Sequence, residues 1–228
     1  MLKPQHLLIV SSLFIGSAIV PVIEFASLQI APNSIASAQF WSWFGRRPRV
    51  PLGTRSGVCP TTPGLLGKDF AIISDRPLFS WQGKAVKLTV RDFETKAEIW
   101  STTIASNTQQ IAYGGTPLQP GKTYQWQILS DTPTSADLAR WELLSVMTQS
   151  ERDRHLANLK SIEQKTKNNA PEAIANAKLA YLLAPDRELW SDAVQVLFEV
   201  KNPSSDFTKN RKEFMAGLCT QATVRKTN

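Results

Sequence analysis

The stretch Leu118-Gln-Pro-Gly-Lys-Thr-Tyr-Gln-Trp-Gln-Ile128 decides how the middle of this chain folds. A Pro-Gly turn leads into a segment in which Tyr124, Trp126 and Ile128 alternate with polar residues, so these side chains share one face of a strand. Other short segments rich in β-branched and aromatic residues repeat the pattern between turns, namely 78–81, 85–92, 98–104, 110–113 and 140–147. Short strands at such spacing predict an antiparallel β-sandwich over residues 58–148.

After residue 148 the apolar residues recur with the period of a helix. The first stripe consists of Leu156, Leu159 and Ile162, and later stripes lie within 172–184, 189–200 and 207–218. Ser150 is the expected N-cap of the first helix, and Asp186 is the expected cap of the helix over 189–200. The sequence therefore predicts an α+β protein of two domains, the second a small all-α helical hairpin domain at residues 149–228.

The N-terminus has the layout of an export signal. Lys3 precedes an apolar run over residues 7–20, and the segment closes with Ala36-Ser37-Ala38. A basic start, an apolar centre and small residues at the end are the features that export and cleavage require. We expect residues 1–38 to be a cleaved signal peptide and the product to be periplasmic or extracellular. A signal retained as a membrane anchor is the alternative.

The excess positive charge is unevenly distributed along the chain. The formal net charge is +7. The segment 39–57 holds four arginines, no acid and several aromatic residues, so it predicts a basic aromatic linker. Its Arg46, Arg47 and Arg49 are candidates for contact with an anionic polymer or a membrane surface. No nucleic-acid partner is expected, because an exported protein rarely meets one.

Two cysteines remain after the signal, Cys59 and Cys219. Outside the cytoplasm such a pair can persist as a disulfide, and this one would join the start of the β-domain to the end of the helical domain. The alternative is two separate buried thiols, since free cysteine packs as a small apolar residue. Both readings stay open at the level of the sequence.

Four pieces occur here in a fixed order: 56–60, 75–81, 118–126 and 189–194, that is, SGVCP, DRPLFSW, LQPGKTYQW and LWSDAV. With this ordered set the chain resembles a family of exported bacterial proteins of the cyanobacterial type. The resemblance implies an immunoglobulin-like or fibronectin-III-like domain followed by a helical, tetratricopeptide-like tail. The family has no agreed activity, so the resemblance transfers no catalytic residue.

The chain contains no arrangement of residues that predicts catalysis. His155 is the only histidine after the signal, and one histidine with two distant cysteines does not make a zinc site. The segment 115–123 superficially resembles a phosphate-binding loop, but its two prolines remove N–H donors and it leads into a strand. We therefore expect no catalytic residue, no metal and no cofactor, and a hydrolase is the less favoured alternative.

We expect a non-enzymatic envelope protein that acts as a protein-binding or scaffold module. The helical half carries the candidate partner-binding residues, chosen as exposed side chains near helix ends: Tyr181, Trp190, Lys209 and Lys212. The partners would be envelope proteins. The alternative is a module that binds cell-wall or surface polysaccharide through Trp81, Trp100 or Trp126, which would require these rings to face solvent.

Processing of the chain gives the first testable prediction. Because small residues close the export signal at Ala38, we expect the mature protein to begin at Gln39. N-terminal sequencing of protein purified from its native cells measures this directly. A product that starts at Met1 and stays in the cytosol would contradict it.

Overall fold

The computed structural model describes residues 57–66 and 70–219, and these residues include two β-sheets. The first sheet has the order β1-β3-β6, with strands β1 (Cys59–Thr62), β3 (Leu78–Gln82) and β6 (Gln110–Ala112). The second has the order β2-β8-β7-β4-β5, with strands β2 (Ala71–Ile72), β4 (Lys87–Asp92), β5 (Glu98–Thr103), β7 (Thr123–Leu129) and β8 (Glu142–Val146). The expected α+β class is confirmed. The predicted signal 1–38, and the linker up to residue 56 with Arg46, Arg47 and Arg49, lie outside the described residues.

One strand pair departs from the predicted antiparallel arrangement. β2 runs parallel to β8, with Ala71 opposite Ser145 and Ile72 opposite Val146, whereas the other pairings described are antiparallel. The sequence prediction missed β2 because two residues are too few to show a period. The short strand still buries Ile72, which is 1% exposed.

The two sheets enclose a shared apolar cluster. Phe79 of the first sheet meets Trp126 of the second edge to face, with ring centroids 5.1 Å apart. Tyr124, at the start of β7, accepts a hydrogen bond at its hydroxyl from the backbone N–H of Gln119 (2.9 Å). This bond fixes the turn that precedes β7, so the stretch from Leu118 to Ile128 both turns the chain and fills the core.

Five helices are described: α1 (Ser135–Ala139), α2 (Gln149–Thr166), α3 (Pro171–Leu182), α4 (Trp190–Glu199) and α5 (Ser205–Leu218). The cap of α2 is Thr148 and not Ser150, because the Glu151 carboxylate accepts bonds from the Thr148 N–H and hydroxyl. Asp186 does not cap α4, which begins only after Leu189. No helix in the described part of the chain is long and apolar enough to cross a membrane.

The face of α2 that packs inward is more polar than its apolar stripe suggested. Leu156 is 45% exposed, whereas Arg152 and His155 are each 8% exposed. Arg152 turns inward because its Nε donates to the Ile73 carbonyl (2.7 Å) and its Nη2 pairs with Asp75 (3.0 Å). Arg152, with its two partners, is therefore buried, whereas Leu156 of the expected apolar stripe is exposed.

The helices join the sheets through a buried carboxylate. Asp192, in the first turn of α4, accepts from the Ile73 N–H with both carboxylate oxygens (3.0 and 3.1 Å) and from the Ser74 N–H (3.1 Å). The neighbouring Ser191 hydroxyl accepts from the Gly64 N–H (3.0 Å). Burial raises the pKa of Asp192 to about 6, although these backbone donors act in the opposite direction. The start of α4 thus satisfies backbone donors of the segment that follows β2.

Asp192 generates a prediction about pH. Its pKa is about 6 in the folded state against an ordinary 3.8. Between these values the folded state binds more protons than the unfolded state, so the free energy of unfolding falls as pH rises, by about 3 kcal/mol for this group. Asp192→Asn should remove that part of the pH dependence, as measured by urea unfolding from about pH 4 to pH 7.

The control is Asp206→Asn, which changes an exposed acid in the first turn of α5. It should leave the difference between the two ends of the pH range in place. An Asp192→Asn curve parallel to that of the parent would show that the ionised carboxylate is fully compensated at the junction.

Candidate functional site

A cleft of about 610 Å³ lies between the first sheet and the helices. Alternation along β3 sends Phe79 and Trp81 into the core between the sheets, so Gln82 lies on the opposite face. The wall of the cleft on the side of the sheet, the β-wall, is rich in amide and hydroxyl groups: Gln82, Asn107, Thr108, Gln109 and Gln110. The helical wall combines apolar and basic side chains: Phe198, Thr208, Arg211, Lys212, Met215 and Ala216. This volume is in the range of cavities that hold ligands.

The cleft carries positive charge. Arg211 and Lys212 line it, and no acidic residue is among its described lining residues. Arg211 is half-buried; its Nη1 donates to the Leu197 carbonyl (3.0 Å), and its guanidinium lies 4.7 Å from the Phe198 ring centroid. Burial lowers the pKa of Arg211. Neither cation forms an ion pair within residues 57–66 and 70–219.

A disulfide between Cys59 and Cys219 links β1 to the end of α5, with Cα atoms 6.3 Å apart. Cys59 lies opposite the cleft residue Gln82 in the β1–β3 pair. Cys219 caps the C-terminus of α5, about one helical turn after Met215 and Ala216. The bridge therefore ties the end of α5 to the strand that pairs with β3.

Of the side chains expected to bind a partner, the structure places only Lys212 in the cleft. Lys209 is exposed on the same helix, one turn earlier, and is not among the lining residues. Trp190, expected to be an exposed anchor, is buried: it is 8% exposed and stacks on Phe214 with ring centroids 6.5 Å apart. Trp190 therefore packs between α4 and α5.

Tyr181 is half-buried and its polar group is engaged within the helical region. Its hydroxyl lies 2.8 Å from Nδ1 of His155 and accepts from Nδ2 of Asn158 (3.1 Å). The guanidinium of Arg187 lies 4.4 Å from its ring centroid. These contacts connect α3 to α2 and to the turn before α4, so the ring mainly braces the helices.

The rings named for polysaccharide binding are largely inaccessible. Trp81 and Trp126 are each 0% exposed, although Trp81 borders the cleft. Trp100 is half-buried and stacks on Phe79. Sugar recognition through stacking needs an exposed aromatic face, and these three residues do not provide a platform for it.

Other chemistry in the described residues is sparse. No group of three or more histidine, cysteine, aspartate or glutamate residues within 57–66 and 70–219 is placed to hold a metal ion. Burial lowers the pKa of His155, and the cations Arg154 and Arg187 act in the same direction. A shallower groove of about 270 Å³ separates α3 from α4 and is lined by Glu163, Lys178, Glu199 and Lys201 among others. Its charges are mixed, which distinguishes it from the cleft.

The sequence carried signals for residues that the prediction did not use. Arg211 interrupts the apolar stripe of α5, and its guanidinium reaches the cleft and the end of α4. The run from Asn107 to Gln110 consists of four consecutive amide or hydroxyl side chains after the strand β5, and all four line the cleft. Asp192 lies within a helix face that is otherwise apolar, which marks a buried acid with partners.

No protein-family model and no curated protein sequence matches this chain. The candidate site is therefore defined by its geometry and charge.

The disulfide yields a prediction about stability. Cys59→Ser combined with Cys219→Ser should lower the free energy of unfolding by about 2–5 kcal/mol, because it frees a long loop in the unfolded chain. Urea unfolding of the parent and the double variant without reductant measures this. The parent in reductant is the control and should approach the double variant.

Equal stability of the two proteins, together with two free thiols on labelling of the denatured parent, would contradict the presence of the bridge in solution.

Proposed function

We propose that this protein is a non-enzymatic, exported envelope protein that binds a segment of a partner protein in the cleft between its first sheet and α4–α5. The observation that carries the proposal is the cleft itself. It is open, and its polar β-wall can pair with peptide groups while Phe198 and Met215 offer apolar contact. A disulfide links β1 to the end of α5, and the bonds of Asp192 fix the start of α4 to the segment after β2.

We further propose that residues 58–148 form an immunoglobulin-like sandwich. In such domains strands A, B and E belong to one sheet and C, F and G to the other. Naming β1, β3 and β6 as A, B and E, and β4, β7 and β8 as C, F and G, agrees with both sheet orders. The Tyr124 hydroxyl bond to the Gln119 N–H is also what a tyrosine corner at strand F requires.

The helical region, 149–228, is proposed to be a tetratricopeptide-like hairpin that leans on the sandwich. A pair of such helices does not bury its apolar face alone. In this chain the helical core includes Leu66 and Ile73 from the β-region. The described residues of both regions lie in one compact unit, so the proposed boundary near residue 148 would separate two regions that share a core.

Export fits the bond between Cys59 and Cys219, because disulfides persist in oxidising compartments such as the periplasm. A supplementary contact of Arg46, Arg47 and Arg49 with an anionic polymer or membrane surface belongs to the same proposal. Polysaccharide binding through tryptophan has weaker support, since Trp81 and Trp126 are 0% exposed.

Photo-crosslinking tests where a partner binds. A benzophenone amino acid in place of Ala216, an exposed residue of the cleft, should crosslink to envelope polypeptides in native cells. The same replacement at Ala157, exposed on α2, is the matched control and should give no such product. Mass spectrometry of the adduct identifies the partner segment.

Crosslinks of equal yield and identity from both positions would argue against the cleft. So would adducts at position 216 that contain glycan or lipid and no polypeptide.

A further inference from the structure

Two cations line the described part of the cleft, and no acidic side chain among the described residues pairs with them. Arg211 is half-buried and Lys212 is exposed. Removing a guanidinium from water costs free energy unless an anion or several acceptors replace the water. Nη1 of Arg211 donates to the Leu197 carbonyl. The remaining donors of its planar fork suit a carboxylate.

The opposite wall suits a peptide main chain. In the β3–β6 pair the Tyr113 N–H donates to the Pro77 carbonyl and the Trp81 N–H to the Gln109 carbonyl. Because hydrogen-bonding direction alternates along an antiparallel strand, the backbone groups of Gln110 point away from β3. β6 is the last strand of its sheet, and Gln110 lines the cleft. An added strand at such an edge is a common way to bind an extended peptide.

Resting on the function proposed above, we propose that the segment held in the cleft is an extended acidic peptide. An aspartate or glutamate of the peptide pairs with Arg211 and Lys212, and the peptide backbone bonds to the edge of β6. Charge complementarity selects the partner, because the lining residues that the structure describes supply cations and amides and no carboxylate. Phe198 and Met215 accommodate an apolar neighbour of the acidic residue.

The test is selection from a phage-displayed library of random peptides about 12 residues long against the full-length protein. We expect the selected peptides to be enriched in aspartate and glutamate. Replacing these residues by asparagine and glutamine should weaken binding in fluorescence anisotropy by about tenfold, as should Lys212→Glu. Lys209→Glu makes the same charge change one turn earlier at a residue that does not line the cleft, and should weaken binding less than Lys212→Glu, because solvent screens its charge.

A second pair of variants reports on the cleft independently of charge. Ala216→Trp fills the cleft and should abolish binding, whereas Ala157→Trp on α2 should not. Both alanines are exposed, so neither change has to disturb a core, and thermal melts of the four variants check that each is folded.

The outcomes separate this inference from the proposed function. The selected peptides could lack acidic residues and lose binding with Ala216→Trp but not with Lys212→Glu. That result would overturn the acidic partner and keep the cleft as a peptide site. Failure to select any peptide blocked by Ala216→Trp would overturn both. Polygalacturonate could be the ligand that binds, with a larger loss of affinity for Lys212→Glu than for Lys209→Glu and no peptide binding. That result would replace the peptide with an acidic polysaccharide.

Discussion

The contact between the Asp192 carboxylate and the N–H groups of Ile73 and Ser74 determines where the helices sit on the sheets. Three hydrogen bonds converge on a side chain that is removed from water, so the acceptor is costly to displace. On the same segment, the Ile73 carbonyl accepts from Arg152 of α2. Ile73, the residue directly after β2, therefore anchors α4 through its N–H and α2 through its carbonyl.

This anchorage explains why a cleft can persist beside a hydrophobic core. The helices gain their apolar contacts at Leu66 and Ile73, at the end of the sheets where the polar bonds fix them. They need not cover the amide-rich face that includes Gln82 and Gln110, which would bury polar groups without partners. The disulfide then restrains the far end of α5 beside that uncovered face. The bonds of Asp192 and the disulfide thus restrain α4 and α5 at two distant points.

The parts of the fold that the sequence predicted correctly are those set by local period. The alternation of Tyr124, Trp126 and Ile128 describes β7 with its buried face, and the segments assigned to β3, β4, β5 and β8 overlap the strands found. The stripes of α4 and α5 also mark packing faces. Each of these signals repeats over several residues, so that no long-range contact is needed to recognise it.

The parts that were missed depend on contacts between distant residues. β2 exists because β8 offers a partner to two residues, and Trp190 is buried because Phe214 lies beside it. Asp192 and Arg152 are charged residues whose burial makes sense only once the Ile73 backbone is placed between them. Similarly, Lys212 was recognised as an exposed cation, but the amides opposite it come from a loop about 100 residues earlier in the chain.

The same reasoning explains why the unpaired positive charge of the helical half can be located only in the folded protein. Thirteen basic and ten acidic residues follow residue 149, and several of them pair locally, as Lys178 does with Glu163 and Arg187 with Asp186. Such local ion pairs neutralise charge on exposed helix faces and add little to stability. Arg211 and Lys212 differ because the wall that faces them is built of uncharged amides. Within the described residues these two cations have no acidic partner. A partly buried cation favours a counter-ion, and the proposed acidic peptide is inferred from this feature.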